Sequence, residues 1–178
     1  MGSPKALLEF QGETFLDRLI GLFSRHCAPV IAVLGAEAVG IRAALRRASE
    51  AVVVENPDFR LGQISSMQCG LRAVPREATG VLFTLVDHPA VAAETIAALV
   101  APAAQLRIPR RDGRRGHPIY FSSALIPEFL ALPNTSTARD VVARHEAEIA
   151  YLDLDDPGIL ADVDDPEAYR RLLAGSRA

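Results

Sequence analysis

The chain has 178 residues, 49% of them apolar, and a formal net charge of −3. That is enough for one domain, residues 1–178, with a real core, and too much apolar content for disorder. The weak negative charge leaves no basic footprint for nucleic acid and no polybasic membrane anchor. Cys27 and Cys69 make no disulfide framework, no apolar run reaches a membrane span, and the opening segment lacks the apolar core of a signal peptide. A cytoplasmic protein with no membrane partner is expected.

In chain order, Thr14 followed three residues later by Asp17 resembles a capping box, and Phe15, Leu16, Leu19, Ile20, Leu22 and Phe23 form one helical stripe. Pro29 to Leu34 reads as a buried strand ended by Gly35, Ala36 to Arg47 as a helix, and Ala51 to Val54 as a second strand. Ser66 to Leu71 is a short helix, Gly80 to Val86 a third strand stopping at Asp87, and Pro89 to Val100 a helix. Leu106 to Pro109 and His117 to Phe121 are short strands around the polar loop Arg110 to Gly116. Ser123 to Leu130 and Thr137 to Arg144 are helical, Ile149 to Leu154 is a strand, and Asp165 caps a last helix, Pro166 to Leu173. Continuous apolar strands alternating with helices predict an α/β fold, with a mostly parallel, Rossmann-like sheet covered on both faces.

Lys5 is the only lysine; the other 18 basic residues are arginine. A compact ammonium beside Gly2 and Pro4 suits polyphosphate oxygens, a role arginine does not share. A solvated terminal lysine or the remnant of an expression tag is the plain alternative. In an open α/β sheet, ligands lie beyond the carboxyl ends of the strands, which puts Asp87 and the loop after Val54 at the site. Asp87 can reach a metal on a substrate phosphate, or cap the following helix. Asp162 and Asp164 share one face of an extended segment, and paired hard oxygens suit Mg²⁺ better than zinc. Asp153, Asp155 and Asp156 read as a solvated acidic turn.

Asn56, Ser65, Ser66 and Gly70 form a possible base and ribose pocket, though Ser and Gly are also ordinary turn residues. Gly116-His117-Pro118 follows four arginines, Arg110, Arg111, Arg114 and Arg115, that attract an anion or form a solvated loop. No HEXXH, CxxC, G-x-S-x-G or G-x-G-x-x-G motif is present, so zinc sites, hydrolase triads and dinucleotide binding have no support.

In order, MGSPKALLEFQGETFL, GQISSMQCGL, LVDHP, RRGHPIYF and ADVDDPEAY resemble segments of the MobA/MocA-like nucleotidyltransferases, most closely the molybdenum cofactor cytidylyltransferase branch. Gln63, Ile64 and Met67 depart from the family's G-M-S-x-S-L pattern. The resemblance implies a GT-A-like nucleotide-binding fold and Mg²⁺-dependent nucleotidyl transfer from an NTP, CTP or GTP with CTP favoured, to a molybdopterin-type acceptor. Lys5 would hold phosphates; Asp87, Asp162 and Asp164 would serve the metal. Asn56, Ser65, Ser66 and Gly70 would lie on the nucleotide side, and Gly116, His117 and Pro118 on the acceptor side. A different expectation is a non-catalytic nucleotide-binding module that assists maturation of a molybdoenzyme. A third keeps the enzyme but changes the acceptor, for example to a sugar phosphate.

The family's opening strand and glycine-rich loop, written L-A-A-G-x-S-x-R, would stand immediately before Met1-Gly2 and are not in the sequence. An internal start is the favoured explanation; truncation and a degraded relative are the others. The first strand is thus expected to be missing from mid-sheet, and the chain to aggregate, pair with a second copy as a dimer, or close the gap. If it closes the gap, a monomer is expected.

Overall fold

The structure, a computed structural model, describes residues 4–101 and 104–175; Met1, Gly2 and Ser3 of the signature-like segment lie outside that range. Gln11 and Gly12, both at positive φ, turn the small antiparallel hairpin of β1 (Glu9–Phe10) and β2 (Glu13–Thr14). Thr14 caps α1 (Phe15–Phe23), its hydroxyl accepting the Asp17 amide as the capping box requires. Asp17 does more than pair with the cap. It is buried, and its Oδ1 accepts the amides of Arg46 and Arg47, tying α1 to the loop that follows α2 (Ala38–Ala44).

β3 (Val30–Leu34) and β4 (Ala51–Glu55) run parallel, in register from Val30 with Ala51 to Leu34 with Glu55. α2 is shorter than its pattern suggests, because Glu37 sits at a left-handed φ of 57° and Leu45 is already extended. α3 (Gln63–Arg72), β5 (Gly80–Phe83) and α4 (Ala93–Val100) follow. β5 stops short of Val86 because its partner strand supplies no residue beyond Ile119, which sits opposite Phe83. β6 (Leu106–Arg111) and β7 (Arg114–Arg115) correct the polar-loop expectation: Asp112 and Gly113, at φ 51° and 74°, make a tight hairpin turn. β8 (Ile119–Ser122), α5 (Ile126–Leu130), α6 (Ala138–Arg144), β9 (Ile149–Asp153) and α7 (Pro166–Gly175) complete the chain.

β8 lies between β5 and β6 and is antiparallel to both, while β9 runs parallel to β6. β5, β6 and β9 therefore share one direction, and β8 alone is reversed between them. Alternation along β5 separates two helical layers. Val81 and Phe83 face a cluster with Met67, Leu71 and Phe129 from α3 and α5, whereas Leu82 faces Leu19, Phe23 and Ile96 from α1 and α4. Arg107, also on the second face, is buried and donates to the Ala98 and Leu99 carbonyls at the end of α4. Gly80 leaves room for the Tyr120 ring, which crosses it from the neighbouring strand.

Among the described residues, β3 pairs with β4 alone, and β5 with β8 alone. Between the strands lies a cavity of about 730 Å³ lined by Ile31, Val33, Val81 and Phe83, with Leu19 and Met67 from the helices above and below. The sheet is thus interrupted between β3 and β5.

His145 links the last helices: its Nε2 is 2.7 Å from Glu128 Oε1 and its Nδ1 3.1 Å from Glu148 Oε1. Those bonds, Glu128's first, raise the imidazole above its ordinary pKa. A raised folded value means stabilisation is fully present below the ordinary value and is lost as pH climbs through the raised one. The melting-temperature advantage of the wild type over His145→Gln is therefore expected to hold constant below about pH 6 and to shrink as the pH climbs above the ordinary imidazole value; a difference that stays constant across that rise contradicts the ion-pair role. Fusing a strand-forming apolar segment ahead of residue 4 is expected to raise the melting temperature by roughly 5 °C or more, the equivalent of about 2 kcal/mol. An unchanged transition in scanning calorimetry would mean the two edges do not need a partner.

Candidate active site

The carboxyl end of β5 leads through Thr84–Val86 to Asp87, and the chain start and the tail converge on it from opposite sides. Ala6 and Leu7 pack with Leu34, Ala38 and Val86, which anchors the turn carrying Lys5. On the other side, the Val163 amide donates to the Asp87 carbonyl at 3.0 Å, and the Val163 side chain is buried against Phe10 and Phe15. That bond fixes the Asp162–Asp164 segment beside Asp87. Asp162 and Asp164, flanking an inward Val163, both remain exposed.

Lys5 is the centre of the result. Its Nζ lies 2.6 Å from Asp164 Oδ1 and 3.6 Å from Asp87 Oδ2. Burial pulls the ammonium down, but the bond from Asp164 and the charges of both carboxylates outweigh it, and its pKa is raised. Asp87 Oδ1 is buried without a hydrogen-bond partner. The described residues contain no ready-made group of three or more His, Cys, Asp or Glu side chains for a metal. Even so, two carboxylates already holding a cation fit a hard divalent ion with oxygen ligands.

His88, not singled out by the sequence patterns, completes the cluster. It is buried, its Nε2 is 3.7 Å from Asp87 Oδ1, and its ring stacks on His117 with centroids 4.8 Å apart. Burial lowers the pKa of His88 against the opposing charge of Asp87. His117 falls to about 4, chiefly through burial and then through His88 and Arg139. Both rings are therefore neutral at neutral pH. The His117 amide donates to the Ile159 carbonyl, and Gly116 is buried so close to that carbonyl that a Cβ would overlap it. Pro118, buried, follows a cis peptide bond.

The nucleotide-side residues form a separate group. Asn56 donates from Nδ2 to the hydroxyls of Ser65 and Ser66, both at 3.0 Å, and accepts the Asp58 amide. Ser65 in turn donates toward the Asp58 and Gly62 carbonyls. Much of their hydrogen-bonding capacity is thus spent on fixing the β4–α3 loop. Ser66 and Gly70 also line the cavity between β3 and β5.

Three of the four arginines of β6 and β7 are committed elsewhere. Arg110 pairs with Asp153, Arg111 with Asp155 and Arg115 with Glu146, and the Arg110 and Arg115 guanidinium groups both lie over the Tyr151 ring. Asp153 and Asp155 are exposed, but Asp156 corrects the acidic-turn expectation. It is buried and accepts the Ala92 amide, the Thr95 hydroxyl and the Gly158 amide. Sequence spacing carried one signal for this, the Pro157-Gly158 pair that follows an Asx-type turn.

A family model described as the MobA-like NTP transferase domain matches residues 1–149. The chain belongs to that family. Molybdenum cofactor cytidylyltransferase of Escherichia coli (strain K12) is 23% identical over 170 residues, 95% of this chain and 86% of that protein. The crystal structure of Rv0371c from Mycobacterium tuberculosis H37Rv superposes with a TM-score of 0.83 at 29% identity, covering 98% of this chain and 91% of that one. A manganese complex of Rv0371c gives 0.75 at 29% identity, covering 97% and 93%. The α/β architecture with a mostly parallel sheet is that of this nucleotidyltransferase family, and among the described residues no helix is long and apolar enough to cross a membrane.

Asp156→Ala removes the acceptor for three donors and leaves two buried amides unpaired. It is expected to cost about 3 kcal/mol of stability in urea unfolding, and a loss under about 0.5 kcal/mol would reduce Asp156 to a surface residue.

Proposed function

We propose that this protein transfers a nucleotidyl group from an NTP, CTP preferred over GTP, to a phosphorylated acceptor of the molybdopterin type, with release of pyrophosphate. The observation that carries the proposal is the single lysine, Lys5, held by Asp87 and Asp164 at the carboxyl end of β5. In this reading an acceptor phosphate oxygen attacks the α-phosphorus, the bond to the bridging oxygen breaks, and pyrophosphate leaves. No protein nucleophile is needed. Asp87 and Asp164, with Asp162 beside them, would hold Mg²⁺, which when bound supplies charge neutralisation at the phosphates. The manganese complex of Rv0371c supports a divalent ion in this family.

Lys5 carries three donors on a flexible stem, and these hold phosphate oxygens while its charge offsets the two carboxylates. Asn56, Ser65, Ser66 and Gly70 border the nucleotide side. Gly116, His117 and Pro118 receive the acceptor, and the neutral His117 offers a hydrogen bond without adding charge. The interrupted sheet favours a second reading, a nucleotide-binding module that assists a molybdoenzyme without turnover.

Pyrophosphate release with Mg²⁺, CTP or GTP and a molybdopterin acceptor separates the two readings; turnover by the strand-extended protein supports transfer, and its absence with retained nucleotide binding supports the module. Asp87→Asn keeps the shape and any helix-cap bond but loses the charge, and is expected to abolish turnover without a change in melting temperature. Lys5→Arg is expected to cost on the order of 100-fold in rate. Wild-type turnover in either variant removes that residue from the chemistry.

A further inference from the structure

Five buried side-chain atoms among the described residues lack a hydrogen-bond partner, and three of them, Asp87 Oδ1, His88 Nδ1 and His117 Nδ1, fall in one cluster. A buried carboxylate oxygen without a donor is costly, and such an oxygen at a functional site asks for the group that serves it. His88 is that group by position. Its Nε2 is 3.7 Å from Asp87 Oδ1, about 0.7 Å beyond an ordinary hydrogen bond. Bonds of this kind are often long in an uncomplexed site and tighten on loading. The opposite oxygen, Asp87 Oδ2, faces Lys5 at 3.6 Å. A donor on Oδ1 therefore fixes which oxygen is turned toward the cation position. The other half of the ring has separate work: its face lies on His117, tilted by 33°, and Phe83 meets His117 edge-on from the far side, at 6.3 Å.

We propose that His88 is the positioning residue of this site, donating from Nε2 to Asp87 Oδ1 so that Oδ2 meets the cation, and holding His117 between its own ring and Phe83. The assignment rests on the reading of Asp87 as a cation ligand. It ties the metal side and the acceptor side of the site together through one side chain. A neutral imidazole with its proton on Nε2 leaves Nδ1 as a lone-pair acceptor, which matches the unpartnered Nδ1 found here.

The test uses Mn²⁺ as the probe, with free Mn²⁺ followed by electron paramagnetic resonance, and four proteins: wild type, His88→Phe, His88→Gln and Asp87→Asn. Phenylalanine keeps the stacked ring and removes the nitrogen; glutamine keeps a donor near the Nε2 position and removes the ring. His88→Phe is expected to weaken Mn²⁺ binding about 10-fold or more, with the His117 ring resonances unmoved. His88→Gln is expected to hold Mn²⁺ affinity within about 3-fold while shifting the His117 resonances. Equal Mn²⁺ affinity in wild type and His88→Phe overturns the positioning role and leaves Asp87 as a ligand untouched. Failure of wild type to bind Mn²⁺, or binding that Asp87→Asn does not weaken, overturns the cation reading itself and His88 with it. Long-range ¹H–¹⁵N spectra of the wild type decide independently of any variant: the Nε2–H tautomer of His88 is expected, and the Nδ1–H tautomer overturns the proposal.

Discussion

A strand inside a sheet carries amide and carbonyl groups on both edges, and each buried group must find a partner or pay the cost of leaving water. Among the described residues, β3 and β5 meet that demand on one edge only. The cavity between them has mainly apolar walls, with Gln63, Ser66, Thr84 and Tyr120 among the polar side chains at its lining. What joins the two parts of the sheet is the roof: α1 packs Leu19 and Phe23 with Val30 of β3 and Leu82 of β5, and Ala6 and Leu7 bridge Leu34 and Val86. Lys5 belongs to that bridge. The position of the lysine over the carboxylates thus depends on how firmly the two strand edges are held at their common distance.

The tail acts as a second brace, built from main-chain contacts. Asp156 gathers Ala92, Thr95 and Gly158; a side chain at Gly158 would collide with the Ala90 carbonyl; Ile159 accepts the His117 amide; and Val163 donates to Asp87. In eight residues, Asp156 to Val163, the chain touches the start of α4, the His117 segment ahead of β8 and the Asp87 turn. The acidic side chains on this segment divide by location. Asp156 is consumed in holding the segment down, and Asp162 and Asp164, at its outer end, stay available to a cation. Identical residue types six and eight positions apart thus have opposite fates, decided by which backbone donors each one meets.

Apolar runs place β3 and β4 within a residue of their observed bounds, and the short strands expected at β6 and β9 lie within two residues of theirs. The Thr14 cap of α1, with Asp17 as its partner, and the helix after Asp165 were also legible, since those signals are local. The hairpin at Asp112-Gly113 was written in its dipeptide and hidden by the arginines around it. α2 was overextended because an Ala- and Arg-rich run favours helix throughout, whereas Leu45 turns extended so that Arg46 and Arg47 can reach Asp17. Lys5, Asp87 and Asp164 could be named in advance, but their meeting is a tertiary event across the length of the chain. His88 carried no signal at all: a histidine between an aspartate and a proline looks like a turn until His117 is found beneath it.

The chain contains no tryptophan and three tyrosines, and their surroundings differ sharply. Two guanidinium groups lie over the Tyr151 ring, and the Tyr169 hydroxyl donates to the Glu9 carbonyl. Tyr120, lying across Gly80, borders the cavity between the two parts of the sheet. The molecule therefore carries its own optical gauge of that cavity. Near-ultraviolet emission and circular dichroism, undiluted by indole, will register whatever enters or closes the space beside Tyr120, with the other two rings as internal references.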